Sequence, residues 1–269
     1  MPPTEVLEEL LGVPPARLAT VFLLVLARTV PLAWIAPWLG WKGTAVPVRA
    51  SVAVVLAAAF TPLAMGAAPP LPTGWLPLGL IGIREVLVGA AFAVAASLPL
   101  YALGWTGQLV DRWRGSPPDA TASGPTGGDG PLGALHLSAA VVLFVLLGGH
   151  RLALAAFARG LVDVPPGAGG DAAALSAFAL GAARLVTAAL ELTLAFAAPA
   201  VVAFLVLEAV IGLWGRVAPS VRLWMEGMSL RAMLGVAVAL LGLVAILPRL
   251  GPVFVRSIER ASALLEAVR

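Results

Sequence analysis

The 269-residue chain has no cysteine, a single lysine (Lys42) and only two histidines. Without cysteine there can be no disulfide scaffold, thiolate zinc site, iron–sulfur cluster or cysteine nucleophile. The two histidines, His136 and His150, stand fourteen positions apart. On one continuous helix that is about 21 Å of rise, too far to share a metal whose ligands lie about 2 Å from it. No HExxH, GxSxG or phosphate-loop pattern occurs. The five aspartates (Asp111, Asp119, Asp129, Asp163 and Asp171) all fall in connecting segments, so no intramembrane aspartyl pair is expected. Charge is scarce as well: 12% of residues are charged and the net charge is +3, against about 25% charged in soluble domains. No basic run is interleaved with aromatics, which argues against nucleic acid as a partner. Together these gaps predict a chain that is not an enzyme and holds no metal or cofactor.

What is present is apolar bulk. Hydrophobic residues make up 60% of the chain and the mean hydropathy is +0.99, where soluble proteins are about 45–50% apolar. An α-helix needs about 20 apolar residues to cross a bilayer, and the candidates are Leu18–Leu39, Ala50–Ala68, Trp75–Val110, Leu132–Ala158, Ala172–Gly215 and Ala232–Leu247. The pattern predicts an all-α, polytopic helical membrane protein. Ala172–Gly215, about 66 Å long as one helix, exceeds a single crossing. Pro31, Pro37, Pro62, Pro99 and Pro199 fall in or beside these segments and are expected to kink or break them. Counting basic residues on alternate sides divides them evenly, so the positive-inside rule leaves the orientation open.

The chain is read as one membrane-embedded domain, residues 1–269, with three appendages. Residues 1–17 carry acidic residues before the first arginine, unlike a signal peptide, and place Val6, Leu7, Leu10 and Leu11 as a short apolar face. Residues 111–131 include a Pro/Gly/Ser/Thr-rich stretch that predicts an irregular loop. Residues 250–269 place Phe254, Ile258, Ala261, Leu265 and Val268 at helical spacing between charges, an amphipathic tail for a membrane surface or a partner helix. Six charges lie inside apolar segments: Arg28, Arg84, Glu85, Arg184, Glu191 and Glu208. Each costs about 2.5–3.5 kcal/mol at a helix centre, so each should face protein or water. They are read as interhelical pairs or pore-lining groups, Arg84 and Glu85 as structural. A small secondary transporter using Arg184, Glu191 and Glu208 is the alternative, although no internal repeat accompanies them.

Several local patterns, in order, resemble the export-gate family that includes FliR of flagella and SctT of type III secretion. They are Arg28-Thr-Val-Pro31, Val46-Pro-Val-Arg49, Phe60-Thr-Pro62 and Ile83-Arg84-Glu85-Val-Leu-Val-Gly89. Gly107-Gln108-Leu-Val-Asp111-Arg-Trp-Arg114-Gly115 is similar to the Asp-x-x-Arg-Gly of the secretion branch, with Arg112 and Trp113 where relatives have Asn-Gln. Leu143 through Gly148-Gly149-His150, and Pro199 through Arg216-Val-Ala-Pro219, complete the series, with Ser220-Val-Arg222 departing from the usual Gln-Leu-Asn. The resemblance covers about residues 18–250 and favours SctT over FliR. It implies bent helical hairpins in a helical, multi-subunit export gate of the bacterial inner membrane. It further implies a hetero-oligomer with P-type and Q-type subunits and other export components, through which unfolded secreted proteins pass. The family's channel-closing loop maps onto Gly107, Gln108, Asp111, Arg114, Gly115 and Ser116. Asp111 and Arg114 are expected to anchor its root, through each other or through a neighbouring subunit.

Overall fold

A computed structural model describes residues 13–40, 43–72, 74–115, 130–168, 172–217 and 223–267, with side chains from 173 and from 229 in the last two segments. The expected N-terminal apolar face and the loop 116–129 lie outside the described residues, as do Pro219 and Val268. Among the described residues all regular structure is helical: α1 (Pro15–Ile35), α2 (Val46–Ala67), α3 (Trp75–Trp113), α4 (Pro131–Leu146), α5 (Gly149–Asp163), α6 (Ala172–Val217) and α7 (Leu223–Glu266). Three of them carry proline at the first or second position, α1, α2 and α4, where the missing N–H would be unpaired in any case.

Five helices, α1, α2, α3, α6 and α7, are long and apolar enough to cross a membrane, and α4 with α5 forms one pair bent by 71°. The expected single span Leu132–Ala158 is this pair. Its bend sits at Gly148, whose φ of 75° is a left-handed conformation that glycine adopts without steric cost. The double glycine read as a family signature is therefore a corner, with Gly149 buried as the first residue of α5.

Of the two outcomes expected at the prolines, a kink or a break, a break is not what most of them produce. Pro31, Pro62, Pro99 and Pro199 sit inside helices that run on through them, and only Pro37 lies in a turn, after α1. A proline removes one main-chain hydrogen bond, whereas ending a helix in lipid would strand a whole turn of polar groups. For the same reason α7 carries the expected tail and the last span as one helix, through Pro248 and Pro252.

The chain divides into two compact units, residues 1–97, 148–185 and 255–269, and residues 98–147 with 186–254. In the first, Phe157 of α5 is flanked by Phe92, with ring centroids 5.3 Å apart and edge-on, and by Phe60 at 5.6 Å. Such ring pairs contribute about 0.5–1.5 kcal/mol each. In the second, Phe144 of α4 meets Phe254 of α7 edge-on at 5.1 Å. Val110, Leu132, Ala200, Phe204 and Ala239 form a buried cluster there, with Trp113, Leu234 and Val238 packed against it.

Candidate functional site

The root of the 116–129 loop is assembled from the end of α3 and the start of α4. α4 begins after Gly130, a residue with no side chain to cap the helix. A helix start leaves its first N–H groups without partners, and a side-chain oxygen at the N-cap normally accepts from the second or third. Here Asp111, from the last turn of α3, performs that task across the loop. Its Oδ2 accepts from Leu132 N at 2.9 Å and Gly133 N at 3.0 Å. Its Oδ1 accepts from Arg114 Nε at 2.8 Å and lies 2.7 Å from Nη2. The Asp111 carboxylate is thus saturated by four donors in a buried setting. A carboxylate is also favoured at a helix N-terminus by the helix dipole.

Glycines let this carboxylate and the two helices come together. A Cβ on Gly130 would overlap the Asp111 carboxylate. One on Gly107 would overlap the carbonyl of Leu132, and one on Gly133 would come 2.6 Å from Gln108 Cγ. Gly107 and Gln108 thus pack α3 on α4 one turn below the anchor. Beneath it Trp113 lies against Phe204, centroids 5.7 Å apart. Arg114 rests on Gly235 of α7, where a Cβ would come 3.0 Å from Arg114 Cβ. Gly115, exposed at φ 80°, turns the chain out of α3. Ser116 lies outside the described residues. Asp111 and Arg114 thus pair with each other at the end of α3.

Because the Leu132 carbonyl is backbone and cannot yield, Gly107→Ala is expected to cost about 1–3 kcal/mol by overpacking. Gly66→Ala, where a Cβ meets open space, should leave stability unchanged or slightly raised. Thermal unfolding of both variants in the same detergent checks the contrast.

The intramembrane charges take separate settings. Arg28 and Glu85 form a buried pair in the first unit, 1% and 0% exposed. Arg28 Nε donates to Glu85 Oε2 at 2.5 Å, and Nη1 donates to the carbonyls of Val164 at 2.9 Å and Gly160 at 3.4 Å. Glu85 Oε1 accepts from Gly167 N at 3.2 Å. The pair thereby joins α1 to α3 and caps the end of α5. Arg84 is half-buried on the same turn. Arg184 and Glu191 are exposed on α6. Glu208 lies about 26 Å further along that helix than Glu191 and pairs with Arg231 of α7, Nε to Oε1 at 2.6 Å and Nη2 to Oε2 at 2.8 Å. The three residues of the transporter alternative thus do not converge: Glu191 and Glu208 are far apart and Glu208 has another partner. Arg216 is exposed at the end of α6. No cluster of three or more His, Asp or Glu suited to a metal occurs among the described residues.

Sequence reasoning missed three features: Asp111 as the cap of α4, Arg28 as the partner of Glu85, and Gly235 beneath Arg114. The first had a signal, since α4 starts with Gly-Pro and lacks a capping side chain. The other two depend on residues remote in sequence.

Long apolar helices with buried charges define a multi-pass helical membrane protein. The family model of bacterial export proteins, family 1, matches residues 19–259. The chain belongs to that family and is a component of a bacterial export apparatus. No curated protein matches it.

Proposed function

We propose that this chain is the SctT subunit of a type III secretion export gate in the bacterial inner membrane. Together with P-type and Q-type subunits it forms, and helps to close, the channel that unfolded substrate proteins cross. The observation that carries this reading is the loop root. A Gly/Pro/Ser-rich segment of fourteen residues, 116–129, is held at both ends by one saturated carboxylate, Asp111. A closed gate must stop ions, whereas an open one must admit an extended chain. A loop can swing between these states where a packed helix cannot, provided its ends stay fixed. The Asp111-Arg-Trp-Arg114-Gly115 sequence supports the secretion branch over the flagellar one.

The partner reading rests on helix length and exposure. At 46 residues α6 is about 69 Å long, and α7, with 44 residues, about 66 Å; the hydrocarbon core measures about 30 Å. Apolar residues stay exposed toward the end of α6, among them Leu205, Val206, Leu213, Trp214 and Val217, as does Met233 on α7. In their midst the Glu208–Arg231 pair is 49% and 27% exposed. Lipid covers apolar groups but not an ion pair, and water covers an ion pair but not that apolar surface, so neighbouring subunits are the fitting cover.

The test is purification of this chain, tagged and co-expressed with its P-type and Q-type partners, in mild detergent, followed by native mass spectrometry. A discrete complex containing all three is expected. Recovery of the chain alone despite expressed partners would overturn the reading.

A further inference from the structure

Inside α3, Pro99 has no N–H, so the carbonyl four residues before it, that of Ala95, loses its helical donor. Ala95 is 1% exposed and water cannot serve it. The structure supplies a donor from another helix: Ser257 Oγ of α7, itself 4% exposed, donates to Ala95 O. Ser97, on the same stretch of α3 and fully buried, has a hydroxyl with no partner. The helix's own serine therefore does not take over this role.

The same part of α7 is fitted to the first unit at two further points. Leu265 occupies the place of a side chain at Gly160 of α5, and Leu264 the place of one at Gly181 of α6. Gly160 also offers its carbonyl to Arg28. Its backbone is thus shared between the segment that docks on it and the buried ion pair.

We infer that residues 255–266 are a strap latched onto α3 by Ser257, whose hydroxyl replaces the main-chain hydrogen bond that Pro99 removes. Docking of the strap and order of α3 around Pro99 are coupled through this one bond. The glycine sockets fix where the strap lies, and the hydroxyl makes its attachment conditional on the proline. A strap held only by packing would be indifferent to what happens inside α3. This one carries a bond that α3 needs because of its own sequence.

The coupling predicts a specific non-additivity. In Pro99→Ala the helix regains its own donor to Ala95, and the latch becomes redundant. The experiment is amide hydrogen exchange on the full-length chain for wild type, S257A, P99A and the double variant P99A/S257A. S257A is expected to speed exchange about tenfold in both 90–99 and 255–266, the equivalent of one net hydrogen bond. P99A/S257A is expected to stay within about twofold of P99A alone in both segments. An equal increment from S257A in the two backgrounds would mean that the serine merely packs, and would overturn the coupling. So would faster exchange in the strap with α3 unchanged. If S257A does not fold, recovery of folded P99A/S257A supports the latch, and failure of both overturns it.

Discussion

Asp111→Ala is expected to be the most damaging single change at the loop root, lowering stability by about 3–5 kcal/mol. Two terms add. The N–H groups of Leu132 and Gly133 lose their acceptor at a helix start whose own N-cap residue, Gly130, has nothing to offer. Arg114, whose side chain is only 17% exposed, is left beside an apolar cluster without its carboxylate. Arg114→Ala is milder, about 1–2 kcal/mol, because Asp111 keeps both backbone donors and only one partner of the pair is lost. Asp111→Asn falls between, since one amide oxygen can still serve α4 while the NH₂ group faces the guanidinium. The expected order of unfolding midpoints is therefore Asp111→Ala lowest, then Asp111→Asn, then Arg114→Ala. Under the gate role proposed above, ion leak through membranes carrying the complex should follow the same order, because segment 116–129 is released at the end that Asp111 holds. Arg114→Ala as the most harmful of the three would show that the guanidinium, not the helix cap, governs the root.

The second large effect is expected at Glu85. Glu85→Ala leaves Arg28 fully buried and charged, with only the carbonyls of Gly160 and Val164 for company. Removing one partner of a buried pair costs about 3–5 kcal/mol, and the Gly167 N–H loses its acceptor too. The folded chain should accumulate poorly in membranes. Arg28→Met combined with Glu85→Met removes both charges while keeping much of the volume. It should recover a substantial part of the loss, since apolar replacement of a buried ion pair is often close to neutral. Recovery will be incomplete, because the two carbonyls at the end of α5 still lack a donor. Folded yield and thermal midpoint of the single and double variants test this. A double variant worse than Glu85→Ala would mean that the charge itself is not the problem.

Helical class and membrane residence followed from composition, whereas the continuity of α6 through Pro199 did not. The Asp111–Arg114 pair was legible because the two residues are three apart at the end of a helical segment, where such side chains meet. That Asp111 also caps α4 was not, since it depends on a loop closing so that residue 111 meets residue 132. Arg28 and Glu85 were each recognisable as charges needing partners; their pairing across 57 residues is a property of packing alone. The prolines left open whether a helix kinks or breaks, and its continuation has a physical reason. Rules for proline come from settings where water receives the freed carbonyl, and in a packed membrane protein the cheaper course is to continue the helix. At Pro99 a serine hydroxyl from α7 takes the vacant place. The corner at Gly148 stayed hidden because a double glycine is equally compatible with close helix packing.

Because the chain has no cysteine, a single introduced thiol is unique in it and reports on what passes. With Thr121→Cys in the loop and Val55→Cys on the exposed face of α2, a substrate carrying a single cysteine and a folded, export-resistant tail is stalled in the channel. Disulfide formation is then scored under mild oxidation. If the loop closes the channel, a substrate adduct is expected at position 121 and none at position 55. A stalled substrate that forms no adduct at 121, or that reacts equally at 55, would contradict a channel-closing role for this loop.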